Sequence, residues 1–340
     1  NGAMQVAQRS TSTASIVGNS TFVLDRTRFV ISNGGTWTMS QSTTVPSGQG
    51  FSNSLKLDCT AADTSLGAAH YIMVQQLIEG QNVQHLAYGT PDAKTVTVSF
   101  WIRSNKTGTY SFEVQHQNSS NAFYHTSKTF TISSANTWEK KQISFAGNTD
   151  QNIINSNAVG LYATIWLGSG SNFNGGTFAN GTWGQTSNTR VSSSNVNLAD
   201  STSNELYLTG LQLEVGENAS DFEHRSYGEE LALCQRYYWQ VAGTSLLVGQ
   251  GFYYSSSEID CIVNFPQTMR ARPTFTPSNN SGDFQMTNFS DAFDTWTAQQ
   301  FFDGSRVNVY VTSGVSGTAG DSGYIRLMNA TSKVQFDAEL

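Results

Sequence analysis

The fold is decided by residues 95–132, which read TVTVSFWIRSNKTGTYSFEVQHQNSSNAFYHTSKTFTI. Apolar and polar side chains alternate here: Val98 and Phe100 share one face of the first segment, and Phe112 and Val114 share one face of the second. Alternation with a period of two is typical of β-strands that bury one face. If residue i pairs with residue 212 − i, the two apolar faces coincide, whereas a one-residue slip sets apolar against polar. We therefore predict that these segments form a hairpin.

The opposite face of this predicted sheet is polar and aromatic. A second hairpin is predicted to turn at residues 118–121, and a register that pairs residue i with 239 − i continues the sheet. Together the two registers place on one face Trp101, Arg103, Glu113, Gln115 and Tyr124. Because sugar rings pack on aromatic side chains and sugar hydroxyls bond to amide and charged groups, this face is a candidate glycan-binding surface. The alternatives are that a loop or another protomer covers it, or that Trp101 packs locally.

A long Gly/Ser/Asn-rich segment follows the strand predicted at residues 159–167 (VGLYATIWL). It carries three aromatic residues, Phe173, Phe178 and Trp183. Loops of this length inside a compact domain are usually functional or disordered. Ligand contact by these aromatics competes with packing of the loop onto its own domain.

Short strands are predicted along the rest of the chain, and a turn is predicted at Asn33-Gly34-Gly35. Residues 68–79 fit a short helix or a buried strand equally well. The remaining strands are predicted at 54–59 and 205–215 in the first half, and at 245–254, 258–265, 272–277, 283–289, 306–312, 323–329 and 333–340 in the second.

The best helix candidate is residues 228–238 (GEELALCQRYY). Glu229 and Glu230 lie in its first turn and Arg236 in its last, as the helix dipole favours. A chain of 340 residues suits two domains. The sequence thus predicts an all-β protein, with a β-sandwich at 1–226, a short linker helix at 227–239 and a smaller β-sandwich at 240–340.

Charge and hydropathy exclude several classes of partner. The net charge is −7 and no cluster of Lys and Arg is present, so neither nucleic acid nor an anionic membrane surface is expected to bind. No apolar run approaches the roughly 18 residues of a membrane span, so no membrane insertion is expected. Cys59, Cys234 and Cys261 are too few and too scattered for a disulfide framework, and we predict buried free thiols formed in a reducing cytoplasm.

Catalysis of glycan cleavage requires two carboxylates roughly 5 to 10 Å apart in a groove. The acidic pairs that the sequence offers are Glu258 with Asp260, Asp291 with Asp294, and Asp200 with Glu205. No aromatic subsite is visible around Glu258 and Asp260, and no repeat of 20 to 50 residues is present. We therefore interpret all three pairs as surface carboxylates and expect no enzyme activity.

Metal sites are not expected either. The two hairpin registers make His116 and His125 diagonal neighbours on one face, but no spacing suggests a third ligand. Oxygen ligands for a structural Ca²⁺ could come from Asp25, Asp58, Asp200 and Glu205, although none of them lies in a recognisable calcium loop. No cofactor is predicted.

Residues 205–238 (ELYLTGLQLEVGENASDFEHRSYGEELALCQRYY) resemble a family of bacteriophage tail-fibre proteins. Further segments match in the same order, namely NGAMQVAQR, LDRTRF, IEGQNVQHLAYGT, AKTVTVSFWIRS, ISSANTWEKKQISF, LGSGSNF, FPQTMRARPTFT and KVQFDAEL. The family usually has an aromatic residue where Thr27 stands. The resemblance covers most of residues 1–277 and the last eight residues, and it is weak across 278–330.

This resemblance implies a jelly roll similar to carbohydrate-binding modules at 1–226 and a distal tip β-sandwich at 240–340. It also implies a homotrimer that is assembled in the cytoplasm of the host bacterium and located in the virion, beside other fibre and tail proteins. The family's motifs are structural and assign no catalytic residue to this chain.

The predicted function is attachment of a phage to the host cell surface by multivalent, weak binding of a surface glycan or protein. A purely structural fibre or capsid-decorating segment and a polysaccharide depolymerase are the alternatives. The ligand-binding candidates are Trp101, Arg103, Glu113 and Tyr124 on the sheet face, Phe173, Phe178 and Trp183 on the long loop, and Trp296, Phe301 and Phe302 in the second domain.

Overall fold

A computed structural model of the chain describes residues 1–289, 292–296 and 298–340. Strands make up 46% of it and helices 8%, so the predicted all-β class is confirmed. The chain divides into two compact units, Asn1–Tyr227 together with Leu340, and Gly228–Glu339. Within the described ranges no helix has the length and apolar character needed to cross a membrane.

The first unit is built from ten strands that form one continuous sheet over its described residues. The strands are β1 (Ser12–Phe22), β2 (Thr27–Ser42), β3 (Ser54–Ala61), β4 (Tyr71–Glu79), β5 (Val96–Ser104), β6 (Gly108–Gln117), β7 (Phe123–Ile132), β8 (Glu139–Phe145), β9 (Val159–Ser169) and β10 (Glu205–Val215). Helix α1 (Ser171–Asn174) and 3-10 helices at Gly80–Leu86, Ser187–Thr189 and Leu198–Asp200 lie between them. The ambiguous segment 68–79 is thus a strand.

Strand β2 folds the sheet over itself by bending in its middle. Before the bend it pairs with β4, and after the bend it pairs with β3. Asn33 and Gly35 take positive φ angles of 47° and 81° at this point, a conformation that Gly and Asn adopt most readily. The predicted turn at Asn33-Gly34-Gly35 is therefore wrong, because these residues bend a single 16-residue strand.

The bend gives two half-sheets, in the orders β7-β6-β9-β4-β2 and β2-β3-β10-β5-β8, with β1 beside β2. Their apolar faces meet in one core, in which the rings of Phe100 on β5 and Phe112 on β6 stack with centroids 5.5 Å apart. The predicted β5–β6 hairpin is therefore wrong. Strand β5 pairs with β10 and β8, and β6 pairs with β7 and β9. The two apolar faces do coincide, but across the sandwich rather than along one sheet.

The second predicted hairpin, β6–β7, forms with a register shifted by one residue. Residue i pairs with 240 − i, so that His116 lies opposite Tyr124 and Gln115 lies opposite His125. A one-residue shift moves every side chain of a strand to the other face. Tyr124 therefore shares the core-side face with His116, and His125 joins Gln115 on the outer face. The prediction that the two histidines are neighbours on one face is therefore wrong.

The second unit contains helix α2 (Tyr227–Gln235), most of which belongs to it, and two packed sheets. Residues 228–239, for which the sequence predicts a linker, lie in this unit. The helix ends at Gln235 because Tyr238 already pairs with Asp337 in a sheet. The strands are β11 (Tyr238–Ala242), β12 (Leu247–Ser255), β13 (Glu258–Asn264), β14 (Thr274–Pro277), β15 (Phe284–Met286), β16 (Ala292–Phe293), β17 (Ala298–Phe302), β18 (Arg306–Val311), β19 (Ser322–Leu327) and β20 (Lys333–Asp337).

Among the described residues, β11-β20-β14 form a three-stranded sheet and β16-β15-β19-β12-β13-β18-β17 a seven-stranded one. Phe336 of the small sheet packs against Phe265 and Phe275, each with ring centroids 5.1 Å apart, in a core shared with the large sheet. Cys59, Cys234 and Cys261 are buried and form no disulfide bond among the described residues, so the prediction of buried thiols is confirmed.

Candidate functional site

A groove of about 510 Å³ lies on the outer face of the first half-sheet. Its floor crosses five neighbouring strands and part of β1, and one wall comes from the loop between β9 and β10. The residues that line it are Ser20, Arg28, Val30, Tyr71, Met73, Gln75, Gln115, Phe123, His125, Tyr162, Gln185, Ser187 and Arg190.

Strand register explains why polar side chains line up on this floor. One cross-strand row contains His125, Gln115 and Tyr162 on β7, β6 and β9. The next row contains Ser127, Glu113, Thr164, Gln75 and Arg28. Within it Gln75 Nε2 donates to Thr164 Oγ1 at 3.1 Å, and Arg28 Nε donates to Gln75 Oε1 at 3.1 Å. Side chains at directly opposed positions are close enough to bond, so the rows form a hydrogen-bonded ladder.

The wall is held by a small apolar cluster outside the main core. Trp166 and Val191 are fully buried in it, and the ring of Phe173 packs against Tyr71 and Trp166 with centroids 5.4 Å apart in both cases. Of the two interpretations of the long loop, packing onto its own domain therefore holds for Phe173. The aromatic residue anchors the wall and does not line the groove.

Glu113 fastens the wall to the floor. Its carboxylate is fully buried and accepts hydrogen bonds from Arg190 Nε at 2.9 Å and Nη2 at 2.6 Å, and a third from Trp166 Nε1 at 3.2 Å. Burial alone would lower the pKa of Arg190, but the Glu113 carboxylate outweighs it and raises that pKa. Such a fork-to-fork pair fixes geometry as well as charge. Glu113, a predicted ligand contact, is thus a buried anchor beneath the groove.

His125 is the most suggestive group on the floor. It is only 2% exposed, and its Nε2 has no hydrogen-bond partner among the described residues. Burial lowers the pKa of His125, and although Glu113 opposes this effect, Arg190 adds to it, so the imidazole is neutral at pH 7. Since an unpaired buried polar atom costs free energy, a ligand hydroxyl that bonded to Nε2 would recover it.

The rim carries aromatic surface. Phe123 is 42% exposed, and its ring stands edge-on to that of Tyr162 with centroids 6.0 Å apart. Burial raises the pKa of Tyr162, although Arg28 partly opposes this, so the phenol keeps its proton and remains a hydrogen-bond donor. An exposed ring and a half-buried one, beside neutral donors and acceptors, suit a ligand that has both C–H faces and hydroxyls.

Trp101 and Arg103 lie elsewhere, on the outer face of the second half-sheet. Arg103 stacks over the Tyr207 ring at 4.9 Å and pairs with Glu205 at 3.7 Å, while Trp101 is half-buried. Because β5 and β6 belong to different half-sheets, the predicted surface that united these residues with Glu113 and Tyr124 is wrong.

Tyr124 and Trp183 pack at one end of the core rather than at the groove. Tyr124 stacks on His116 with centroids 5.6 Å apart, and Trp183 meets the rings of His116 and Tyr88 edge-on. The Trp183 indole donates to the Ala146 carbonyl at 2.8 Å. These contacts favour a structural role for both residues.

Acidification is expected to destabilise the first unit through His116. Burial lowers the pKa of His116 from 6.5 to about 4, so between these values only the unfolded chain binds the proton. The stability contributed by the neutral ring is complete above pH 6.5 and is lost as the pH falls towards 4, by up to about 3 kcal/mol. Urea unfolding at pH 7, 5.5 and 4.5 measures this loss. The variant His116→Gln should flatten the profile, and an unchanged profile would contradict the assignment.

The remaining predicted contacts divide between core and surface. Phe178 is half-buried in the loop, outside the groove lining. Trp296 packs among Phe275, Phe284 and Phe293 with centroids 5.4 to 5.7 Å away, so it is a half-buried residue that packs against the core of the second unit. Phe301, in contrast, is 71% exposed.

The interpretation of the acidic pairs as surface carboxylates is wrong for Asp260, which is only 9% exposed and lines a cavity together with Phe252 and Phe301. Other acidic residues that the sequence offers for catalysis or calcium contact their own neighbours. Asp200 pairs with Lys106, Glu205 with Lys56 at 3.1 Å, and Asp25 accepts from the Gln8 amide N–H at 3.0 Å. Asp291 lies outside the described residues. No group of three or more His, Cys, Asp or Glu side chains in the described ranges could hold a metal ion.

Several groove residues escaped the sequence reasoning. Arg190 and Gln185 come from a loop whose path over the sheet carries no periodic signal. Tyr162 and Gln75 lie on β9 and β4, which are mostly buried on both faces. Their sequences are therefore nearly continuous apolar runs, and the alternation that would identify an outer face is missing. His125 could have been found, because it shares its face with Gln115 once the β6–β7 register is read as 240 − i.

No protein-family model matches the chain, and no curated protein matches it. Among solved structures, the enzymatically active domain of tailspike protein 4 of bacteriophage CBA120 is 13% identical with a TM-score of 0.33, over 63% of this chain and 21% of that one. The C-terminal family 22 carbohydrate-binding module of a Clostridium thermocellum protein is 10% identical with a TM-score of 0.31, over 62% of this chain and 89% of the module. A xylan-binding domain from Paenibacillus barcinonensis is 9% identical with a TM-score of 0.31, over 61% of this chain and 95% of that domain. The chain spans about a fifth of the tailspike domain. The resemblance to phage tail fibres stays a prediction.

Proposed function

We propose that the groove of the first unit binds a glycan of the host cell surface and that the chain attaches a bacteriophage to its host. The observation that carries the binding proposal is the unpartnered, neutral His125 Nε2 beside the rings of Phe123 and Tyr162. A pyranose could lay its C–H face on the rings and bond a hydroxyl to the imidazole. The attachment role rests on the sequence resemblance to phage tail fibres.

Binding is favoured over cleavage of the glycan. No aspartate or glutamate is among the described residues that line the groove, and Glu113 beneath it is held by Arg190 and Trp166. Glycoside hydrolysis normally needs a pair of accessible carboxylates. We therefore propose a binding module that acts without a cofactor, and weak sites on a trimeric fibre would combine into useful avidity.

Truncation of the rim aromatics is expected to weaken glycan binding. Phe123→Ala and Tyr162→Ala each remove a ring from the groove and should raise the dissociation constant about tenfold, equivalent to about 1.4 kcal/mol. Titration of the full chain with fragments of the host's surface polysaccharide measures the change. Tyr324→Ala is the matched control, because this tyrosine is 53% exposed on β19 and does not line the groove.

Attachment itself is tested by competition. The purified chain should block adsorption of its phage to host cells, and Tyr162→Ala should block less well while the control blocks fully. If all three proteins fail although they are folded, receptor attachment is wrong for this chain. If Tyr162→Ala competes as well as the unaltered chain, attachment does not use this groove.

A further inference from the structure

A second cavity, of about 450 Å³, opens on the outer face of the seven-stranded sheet in the second unit. It is lined by Phe252, Asp260, Ile262, Phe301, Phe302, Asp303, Arg306, Val307 and Asn308. Its volume lies within the range of small-molecule sites, and most of its lining is apolar with a few converging polar groups. The groove proposed above belongs to the other unit and shares no residue with it.

Alternation along β13 places a carboxylate in this cavity. Ile259, Cys261 and Val263 point into the core, so Asp260 and Ile262 stand on the outer face. Asp260 is only 9% exposed, and its Oδ2 accepts a long hydrogen bond from Asn308 Nδ2 at 3.3 Å. Its Oδ1 has no hydrogen-bond partner among the described residues.

A buried carboxylate oxygen without a donor is costly, so its presence beside a cavity points to a ligand that supplies one. Apolar surface stands next to it. Phe301 is 71% exposed and Ile262 is 37% exposed, both on the cavity lining. Exposed aromatic surface beside an unsatisfied acceptor is the combination expected of a recognition site.

The polar groups select the ligand class. Asp260 supplies an acceptor and the Asn308 amide an N–H donor, whereas Asp303 and Arg306 also line the cavity but pair with each other at 2.7 Å. A cationic ligand would only donate, and an anionic ligand would only accept and would face two carboxylates. Hydroxyl groups both donate and accept, and a pyranose adds a flat C–H face for the rings.

We infer that the second unit has its own binding site for a neutral sugar residue, whose hydroxyl donates to Asp260 Oδ1 and whose apolar face lies on Phe301. This inference extends the proposed function from one glycan site per chain to two. It rests on the proposed function only for the class of ligand, because the two cavities are separate.

Methyl NMR on the full chain, labelled at isoleucine and methionine methyl groups, tests both sites in one experiment. Ile262 reports the second cavity and Met73 reports the groove, and Ile262→Val and Met73→Leu assign the two signals. The probes are glucose, galactose, mannose and N-acetylglucosamine, each up to about 100 mM, since single sugars are expected to bind with millimolar constants. A saturable shift of the Ile262 methyl is expected with at least one of them.

Variants make the assignment specific. Asp260→Asn replaces one carboxylate oxygen by an NH2 group without changing the side-chain shape. The dissociation constant of the sugar, measured from the Ile262 methyl shift, should rise at least tenfold. Phe301→Ala should do the same at little cost in stability, because the ring is exposed. Tyr324→Ala, on the same sheet but outside the cavity lining, should leave the constant unchanged.

Three results would overturn the inference. The Ile262 methyl signal does not shift with any of the sugars, or it shifts with ethanolamine but not with the neutral sugars. In the third result, the signal shifts when the protein concentration alone is changed. The last result would identify the face as a contact between copies of the chain. A shift of the Met73 methyl signal without a shift of the Ile262 signal overturns this inference but leaves the proposed function standing. A shift of the Ile262 signal without a shift of the Met73 signal supports this inference but contradicts sugar binding in the groove.

Discussion

Replacement of Arg190 by methionine is expected to lower the free energy of unfolding of the first unit by about 3 to 5 kcal/mol. The change leaves the Glu113 carboxylate buried with only the Trp166 indole as a donor among its described contacts. An uncompensated buried charge costs far more than the lost attraction of an exposed pair. Urea unfolding, followed by hydrogen exchange in peptides from residues 108–132 and 159–169, measures the loss in this unit.

Arg103→Met is the matched control for this prediction. Arg103 also pairs with a glutamate and stacks on an aromatic ring, but its side chain and that of Glu205 are 20% and 25% exposed. When Arg103 is removed, Glu205 keeps Lys56 at 3.1 Å and remains partly solvated, so the control should cost no more than about 1 kcal/mol. The double variant Glu113→Gln with Arg190→Met should recover part of the loss, because no buried charge remains. Equal losses for Arg190→Met and Arg103→Met would contradict the role given to Glu113.

The same variant links stability to function. Arg190 lies in the wall of the groove and holds that wall to the floor through Glu113. Glycan binding should therefore fall in Arg190→Met even at temperatures where the unit remains folded. This coupling follows from the geometry, because one guanidinium forms part of the lining and also fixes the loop that surrounds it.

Individual strands could be predicted from the sequence because alternation is a local property. The segments at 54–59, 159–167 and 205–215 appear as β3, β9 and β10 with boundaries within two residues. In the second unit the seven predicted strands all form, with ends displaced by a few residues. Each carries a period of two that needs no knowledge of its partner.

Strand partners could not be predicted in the same way. The register 212 − i matches Phe100 with Phe112, and these rings do stack, but across the core between two half-sheets. Alternation says which face is buried and does not say whether that face meets a neighbour along the sheet or a strand opposite it. A short polar loop between β5 and β6 is compatible with both arrangements, so the length of the loop does not distinguish them.

The groove was predicted only in part for the same reason. Glu113 and Gln115 were correctly placed on the outer face of β6, but a one-residue error in the β7 register exchanged His125 for Tyr124. The loop aromatics indicated that the segment after β9 contacts either a ligand or its own domain, without showing where Arg190 would lie. Sites assembled from one sheet face and one irregular loop depend on tertiary contacts that have no sequence period.

Replacement of Phe100 by alanine is expected to destabilise the first unit by about 3 to 5 kcal/mol. Phe100 is fully buried, and its ring lies between the half-sheets, stacked on Phe112 at 5.5 Å and edge-on to Phe130 at 5.2 Å. Removing the ring opens a cavity between the two half-sheets. The strands on the two sides of this cavity are not hydrogen-bonded to one another, so a change of strand register cannot fill it. Denaturant unfolding with hydrogen exchange in residues 96–132 gives the magnitude.

Phe123→Ala removes the same atoms from a ring that is 42% exposed, and it should cost less than about 1 kcal/mol. The difference between the two variants isolates burial, because the chemical change is identical. A large loss for Phe123→Ala would mean that this ring supports the fold rather than standing ready for a ligand, and its value as a probe of glycan binding would disappear. A small loss for Phe100→Ala would mean that the half-sheets do not pack face to face. The stability difference between two phenylalanines therefore tests both the architecture of the first unit and the premise of its binding groove.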